Sequence, residues 1–323
     1  SRMVSGDIHR TNYEEVCIRS RKLASALEKD GYKKGDVIAT LALNTYRHLE
    51  MYYGISGMGA ICHTLNFRLH PEQAVYIINH ADDKIIFCEV PFIPILEGLK
   101  DQLPCVEKYI ILCDEADMPE TGLKNAISYE EYINSGDENY VWAEMDDDAA
   151  CGLCYTSGTT GNPKGVLYSH KSNILHAQAS LNGMPISSDE TILMVVPLFH
   201  VLAWGIPYYG PMNGSKLVMP GMQMEGEPLY DLIDREKVTL AFGVPTIWMG
   251  LLAYCRDNNK ILTSVRNTII GGSALSLPTL QEFDEVHDVN VIHAWGMTEM
   301  LSLIHISEPT RPRLISYAVF CLK

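Results

Sequence analysis

Hydrophobic positions follow two periods along this chain. Val16, Leu23 and Leu27 share one helical face that ends at Gly31, and Thr11 stands three residues before Glu14 as in a capping box, which predicts a helix over 12–29. After the turn Lys34-Gly35-Asp36, VIATLAL (37–43) is an unbroken apolar run of buried-strand length. Helical spacing returns over 46–59. Pro71 opens a further helix to about His80, at the first-turn position where its missing N–H is harmless. Strands are predicted at 84–88 and 108–113, and again in the Gly- and Pro-bounded runs VLYSH, TILMVVP, SKLVMP, VTLAFGVP and NTIIGGSA. Strand alternating with helix predicts parallel α/β sheets, here two units joined near residue 149, with 114–148 as an irregular interruption.

Composition narrows the function. A chain of 323 residues, 47% hydrophobic, has the size of about two domains and can bury a core, which excludes a disordered or disulfide-stapled peptide. The balance of 25 Lys+Arg against 40 Asp+Glu, net −15, lacks the basic footprint of nucleic-acid binding. Much of that acidity is local: 114–148 holds twelve acidic residues and one Lys, a solvated segment rather than a protein-wide field. Nine cysteines, an odd number with no secretory leader pattern, fit a reducing cytoplasm. CGLC (151–154) has redox-like spacing but no second pair, so Cys151 and Cys154 are read as strand-borne thiols. Thr191–Ser215 carries no charge and is long enough to cross a bilayer. Pro197, Pro207, Pro211, Gly205, Gly210 and Asn213 interrupt it, so a strand followed by a buried helix or channel wall is expected, and no transmembrane segment.

The strongest chemical signal is YTSGTTGNPKGV (155–166). A Gly/Ser/Thr loop after an apolar run offers closely spaced N–H groups, hydroxyls and one Lys, the donors that polyphosphate oxygens require. It is not a Walker A loop, since Pro163 stands where Gly belongs and Gly165, not Ser or Thr, follows Lys164; nor does it contain GxGxxG. The string resembles the signature of the adenylate-forming superfamily. PLFHVLAW (197–204), GVPTIW (243–248), GGSAL (271–275) and WGMTE (295–299) resemble its further motifs in order. IHRTNYEE, NTYRHLEMYYGISGMGAICHTLNFRLHPEQ and PLFHVLAW are most similar to the fatty-acyl-CoA synthetase branch, including relatives acting on medium-chain and methylthio-propionate acids.

The resemblance implies an α/β fold: the large N-terminal domain of the acyl-CoA synthetases, two α/β subdomains with mostly parallel sheets over 1–148 and 149–300, without the C-terminal lobe. It implies ATP, Mg²⁺ and coenzyme A as cofactor or substrates, and activation of a fatty acid through an acyl-adenylate. Thr156, Ser157, Gly158, Thr159, Thr160, Gly161 and Lys164 would hold the β- and γ-phosphates, and Thr156 and Glu299 the Mg²⁺. Gly272, His293, Ala294, Trp295 and Thr298 would flank adenine and α-phosphate. His200, Val201, Trp204, Gly271 and Ser273 would line the acyl pocket, and His200, Lys164, Thr298 and Glu299 are the catalytic candidates. Amino-acid-activating relatives carry an Asp at the place of His200; no carboxylate occurs from Thr191 to Ser215, so an apolar acid is expected. The alternatives are an ATP- and acyl-binding fragment without turnover, or a ligase for a short or aryl acid. The partners expected are small molecules, and a homodimer is compatible with the resemblance.

From Leu301 the texture changes. Residues 301–323 carry +2 where the preceding 300 carry −17, and SLIHISEPTRP resembles translated adapter or vector read-through. The family's ribose-binding Asp and the lobe with the adenylating Lys are not recognisable, and the start also looks clipped. The chain is therefore read as a fragment.

Overall fold

The computed structural model describes residues 1–156, 161–184 and 186–301, and the backbone of 303–305. The first sheet is built from β1 (Val37–Leu41), β2 (Ile61–Thr64), β3 (Ile85–Cys88), β4 (Lys108–Ile111), β5 (Ala126–Ser128), β6 (Ala150–Thr156) and β7 (Lys164–Ser169), in the order β5-β4-β3-β1-β2-β6-β7. All its neighbours run parallel except β6 and β7, which form a hairpin. The helices that follow its strands or flank them are α1 (Tyr13–Lys29), α2 (Tyr46–Gly57), α3 (Pro71–Ala81), α4 (Ile93–Leu99), α5 (Tyr129–Asn134) and α6 (His170–Gly183). The second sheet comprises β8 (Thr191–Met194), β9 (Lys216–Val218), β10 (Leu240–Gly243), β11 (Asn267–Ile270), β12 (Asn290–Gly296) and β13 (Leu303–His305), in the order β13-β12-β11-β10-β8-β9. Only β13 is antiparallel. Its helices are α7 (Ile206–Asn213), α8 (Gly226–Glu236), α9 (Pro245–Asp257) and α10 (Leu277–Glu285).

Strand alternation divides the core into three. Ala39, Leu41, Ile86, Tyr109 and Ile111 face one way, onto Ile77, Ile78 and Leu96 of α3 and α4. Leu193, Ala241, Ile270 and Val291 of the second sheet face α8 and α9 through Leu229, Leu232, Trp248 and Leu251. The remaining inward residues share one central core, in which Ile38, Cys62 and Cys154 of the first sheet meet Met194, Phe242 and Ile269 of the second. Successive side chains of a strand point to opposite faces, so uniformly apolar strands such as VIATL are the ones covered on both sides.

Two sequence expectations require correction. The N-cap of α1 is Asn12, not Thr11: Asn12 Oδ1 accepts from the Glu15 N–H at 2.9 Å, while Thr11 Oγ1 donates to the Glu15 carboxylate at 2.7 Å. Asn caps a helix as well as Thr does, and here its register wins. The first sheet runs on to Ser169, because β6 pairs with β2 and carries β7 to its edge. A parallel partner is chosen through distant contacts that a local pattern does not encode. The segment 114–148 is not wholly irregular: it supplies β5 and α5, and Tyr129, Tyr132 and Ile133 are buried. Glu130 of α5 binds Arg19 through two hydrogen bonds of 2.9 Å and Arg47 at 3.0 Å, an acid drawn out of the solvated run to satisfy a half-buried and a buried guanidinium.

Cys151 and Cys154 lie on β6 and are buried, as strand-borne thiols. Cys154 Sγ is 3.3 Å from Thr64 Oγ1, and burial pushes its pKa up. Among the described residues no helix is long and apolar enough to cross a membrane.

A crevice at the carboxyl edges of both sheets

The five ordered motif strings fall at or just beyond the carboxyl end of a strand. The phosphate-loop string leaves β6 at Thr156, PLFHVLAW follows β8, GVPTIW follows β10, GGSAL follows β11 and WGMTE closes β12. In open α/β sheets ligands bind outside these ends, where chain reversals leave a crevice.

Thr156 and Lys164 face each other as the last pair of the β6–β7 hairpin, and Thr156 Oγ1 lies 3.5 Å from the Lys164 carbonyl. The loop between them includes Ser157, Gly158, Thr159 and Thr160, which lie outside the described residues; Gly161 closes it, exposed. Lys164 is exposed and pairs with no acid among the described residues, so its charge is free for an anion. Tyr168, further along β7, donates its hydroxyl to the carbonyl of Thr298. That bond ties the turn Thr298–Met300, which also touches β6, to the strand bearing Lys164. Glu299 is thereby carried on the same rim, exposed, and no described basic side chain pairs with it.

The neighbouring wall is built by glycines that admit large neighbours. A Cβ on Gly271 would stand 2.9 Å from the Ala294 carbonyl oxygen and 3.1 Å from the Trp204 indole, so Gly271, Ala294 and Trp204 meet only because that side chain is absent. His293 Nε2 lies 3.3 Å from the Ser273 carbonyl and joins the β12 and β11 ends. Gly272 takes a φ of 85°, which glycine adopts without strain. Ala294 is buried, Trp295 and Thr298 are half-buried and Ser273 is exposed.

The segment Val201–Trp204 is an unusual turn: four non-glycine residues have φ of 40°, 37°, 51° and 56°. Left-handed backbone costs about 1–2 kcal/mol per residue, so packing must enforce it. Leu202 fills the space above Gly152, where a Cβ would lie 2.7 Å from it, and Val201, Ala203 and Trp204 are all buried. Gly205 ends the turn against the His176 ring, which would be 2.5 Å from any Cβ. The approach to this turn is fixed by Asn44, whose amide donates to the carbonyls of Met194 and Val196 and accepts from the Leu198 N–H, each at 2.8 Å. Thr64 adds a bond to the Phe199 carbonyl at 3.3 Å, and Tyr52 one to Leu198.

His200 stands at the head of this wall. Its ring reaches solvent, yet the protein crowds it, and that desolvation pulls its pKa below the ordinary histidine range. It makes no side-chain hydrogen bond to a described residue. The structure thus joins Thr156 with Lys164, Thr298 with the hairpin, Ser273 with His293, and Trp204 with Gly271 and Ala294. It shows no side-chain hydrogen bond, ion pair or ring contact between His200 and any of these described residues. Sequence reasoning did not single out Asn44 or Tyr168, whose importance comes from what they reach across the fold.

Two sheets meeting at their carboxyl edges, a Gly/Thr hairpin with a free lysine, and an acid on the same rim define an α/β protein with a crevice suited to a phosphorylated ligand and an apolar group. The profile of the AMP-binding enzyme family matches residues 2–321, and the chain belongs to that family. It is 46% identical over 298 residues to the medium-chain-fatty-acid–CoA ligase of Ectopseudomonas oleovorans, covering 92% of this chain and 55% of that protein. It is 44% identical over 306 residues to the 3-methylmercaptopropionyl-CoA ligase of Ruegeria pomeroyi, covering 94% and 57%. The chain spans about half the length of these relatives. Among solved structures, the N-terminal domain of FACL13 from Mycobacterium tuberculosis superposes with a TM-score of 0.80 at 24% identity, over 92% of this chain and 71% of that one, a likeness of fold.

Proposed function

We propose that the intact protein is an AMP-forming acid–thiol ligase for medium- or long-chain fatty acids. The observation that carries this reading is the wall Val201–Trp204, buried, apolar and without a carboxylate, set beside a phosphate-type hairpin. An amino acid would bring an ammonium group that this wall cannot pair. The medium-chain ligase of E. oleovorans supports the choice of acid. The methylmercaptopropionyl-CoA ligase of R. pomeroyi supports a second reading, a short thioether acid, which the same apolar surface accepts.

The substrate carboxylate attacks the α-phosphorus of ATP and pyrophosphate leaves; the thiol of coenzyme A then attacks the acyl carbonyl, losing its proton, and AMP leaves. Such transfers ask chiefly for positioning and charge neutralisation. Lys164, Thr156, the hairpin backbone from Ser157 to Gly161 and Thr298 would hold the phosphates. His293, Ala294, Trp295 and Gly272 would bound the nucleoside, and Gly271, Ser273 and Val201 the acyl head. A neutral His200, the form its lowered pKa favours at pH 7, would donate an N–H to the acid's carboxylate. The hydroxyl of Thr156 and the carboxylate of Glu299 are hard oxygen donors of the kind Mg²⁺ takes. The ion would neutralise charge on the leaving pyrophosphate. The odd cysteine count and buried thiols support a reducing compartment, the cytoplasm.

The test is acid-dependent ATP–pyrophosphate exchange by the intact gene product with Mg²⁺ and a panel of octanoate, palmitate, 3-methylmercaptopropionate, benzoate and leucine. Exchange with the aliphatic acids is expected. Exchange with no acid would overturn the ligase reading, and preference for leucine or benzoate would overturn the substrate class.

A further inference from the structure

Beneath the phosphate hairpin lies a set of polar residues that the reaction does not use. His63 on β2 and Asp83, just past the left-handed cap of α3, are both fully buried, with Nδ1 and Oδ2 2.8 Å apart. His63 Nε2 and Asp83 Oδ1 have no partner among the described residues. A buried ionisable pair with half its hydrogen-bonding capacity unused is not kept for stability, since apolar residues of similar volume do as well or better.

What the pair touches is Tyr155, the first residue of the phosphate-loop string. The His63 and Tyr155 rings are 5.1 Å apart, tilted at 43°. The Tyr155 hydroxyl is hydrogen-bonded at 2.7 Å to Nδ1 of His80, in the last turn of α3. On its other side the ring lies over Gly165 of β7, where a Cβ would come within 3.2 Å of it. Tyr155 and Gly165 are cross-strand partners, and the next pair along the hairpin is Thr156 and Lys164. The ring therefore bridges from β2 to β7 at the base of the loop. Burial, with the Asp83 charge nearby, pushes the Tyr155 pKa up to about 12, so the hydroxyl keeps its proton.

We propose that Asp83, His63 and His80 clamp Tyr155 as a positioning residue for the β- and γ-phosphates of ATP, setting the angle at which the Thr156–Lys164 pair meets the nucleotide. Tyr155 touches no reacting atom; it acts through the strand pair it braces. Gly165 belongs to the same device, because a Cβ there would press on the ring at 3.2 Å and on Leu153 at 3.1 Å. The inference rests on the reading of the hairpin as an ATP site.

The experiment compares ATP and AMP binding by calorimetry, with Mg²⁺, in the intact gene product. AMP lacks the two phosphates concerned and serves as the internal control. Tyr155→Phe removes the hydroxyl and leaves the ring over Gly165. It is expected to weaken ATP about fivefold, the value of one ordinary hydrogen bond, while AMP affinity stays within twofold. Asp83→Asn and Gly165→Ala are expected to show the same split more strongly; if either fails to fold, Tyr155→Phe alone decides. Unchanged ATP affinity in folded Tyr155→Phe, or equal loss for ATP and AMP, overturns the proposal. Because binding is read without turnover, failure of the wild type to activate any acid refutes the ligase reading and leaves this test standing.

Discussion

At the residue scale, two acids carry opposite lessons. Glu299 is exposed and unpaired among the described residues, so its charge is open to the cation proposed for it. Replacing it by Gln keeps its shape and removes the charge a cation needs. We expect Glu299→Gln to weaken ATP binding in Mg²⁺ about tenfold or more, the order of one charge-assisted contact, with little change in metal-free buffer. Unchanged affinity in Mg²⁺ would contradict its assigned role. Glu89, by contrast, is buried at the end of β3, and desolvation pushes its pKa up to about 7 despite the Thr45 hydroxyl at 3.3 Å and the nearby Arg47. A carboxyl whose pKa is higher folded than unfolded adds stability that is present below pH about 4.5 and lost as pH rises through 7. The full loss is on the order of 3 kcal/mol at 1.36 kcal/mol per pKa unit. Glu89→Gln should therefore raise the melting temperature relative to wild type more at pH 8 than at pH 5. An equal effect at both values would refute this.

At the scale of elements, the parts legible in the sequence were those whose signals are local. Apolar runs located β1, β3, β8, β10 and β11 to within a few residues, and Pro71 marked the start of α3. The motif strings fell at strand ends because glycine-rich turns and chemistry-bearing residues share that edge. α5 was hidden by the acidity around it, although its signature was present: Ser128 accepts from the Glu131 N–H at 3.2 Å, the Ser-x-x-Glu spacing of a capping box. The left-handed turn at Val201–Trp204 had no signal in residue type, since Gly152 and Gly271, from two other places in the fold, make room for Leu202 and Trp204. Asn44 is the sharpest test of how that turn is held. Truncation to Ala removes three buried hydrogen bonds to the segment after β8 and leaves its backbone groups unsatisfied. A loss of roughly 2–4 kcal/mol is expected, read by denaturant unfolding. A loss below about 1 kcal/mol, the value of a single such bond, would show that the segment is held elsewhere.

At the scale of the whole molecule, the proposed site lies where the two sheets present their carboxyl edges together. Strand pairing between β2 and β6 brings the Thr156–Lys164 hairpin into the first sheet, while the proposed acyl wall and the Glu299 turn hang from the second. The shared core of Ile38, Cys154, Met194 and Phe242 holds these halves together. The motif strings that border the site were legible in the sequence. Its division between the sheets was not legible, because pairing across more than 80 residues, as between His63 and Leu153, leaves no mark on either strand alone. The central claim is that this crevice joins ATP to an apolar carboxylic acid. It is tested most directly by ATP–pyrophosphate exchange in the intact gene product, with octanoate and leucine compared at equal concentration. Exchange that depends on octanoate and Mg²⁺ and is negligible with leucine is the predicted result. Exchange with leucine alone, or with neither acid, would contradict it.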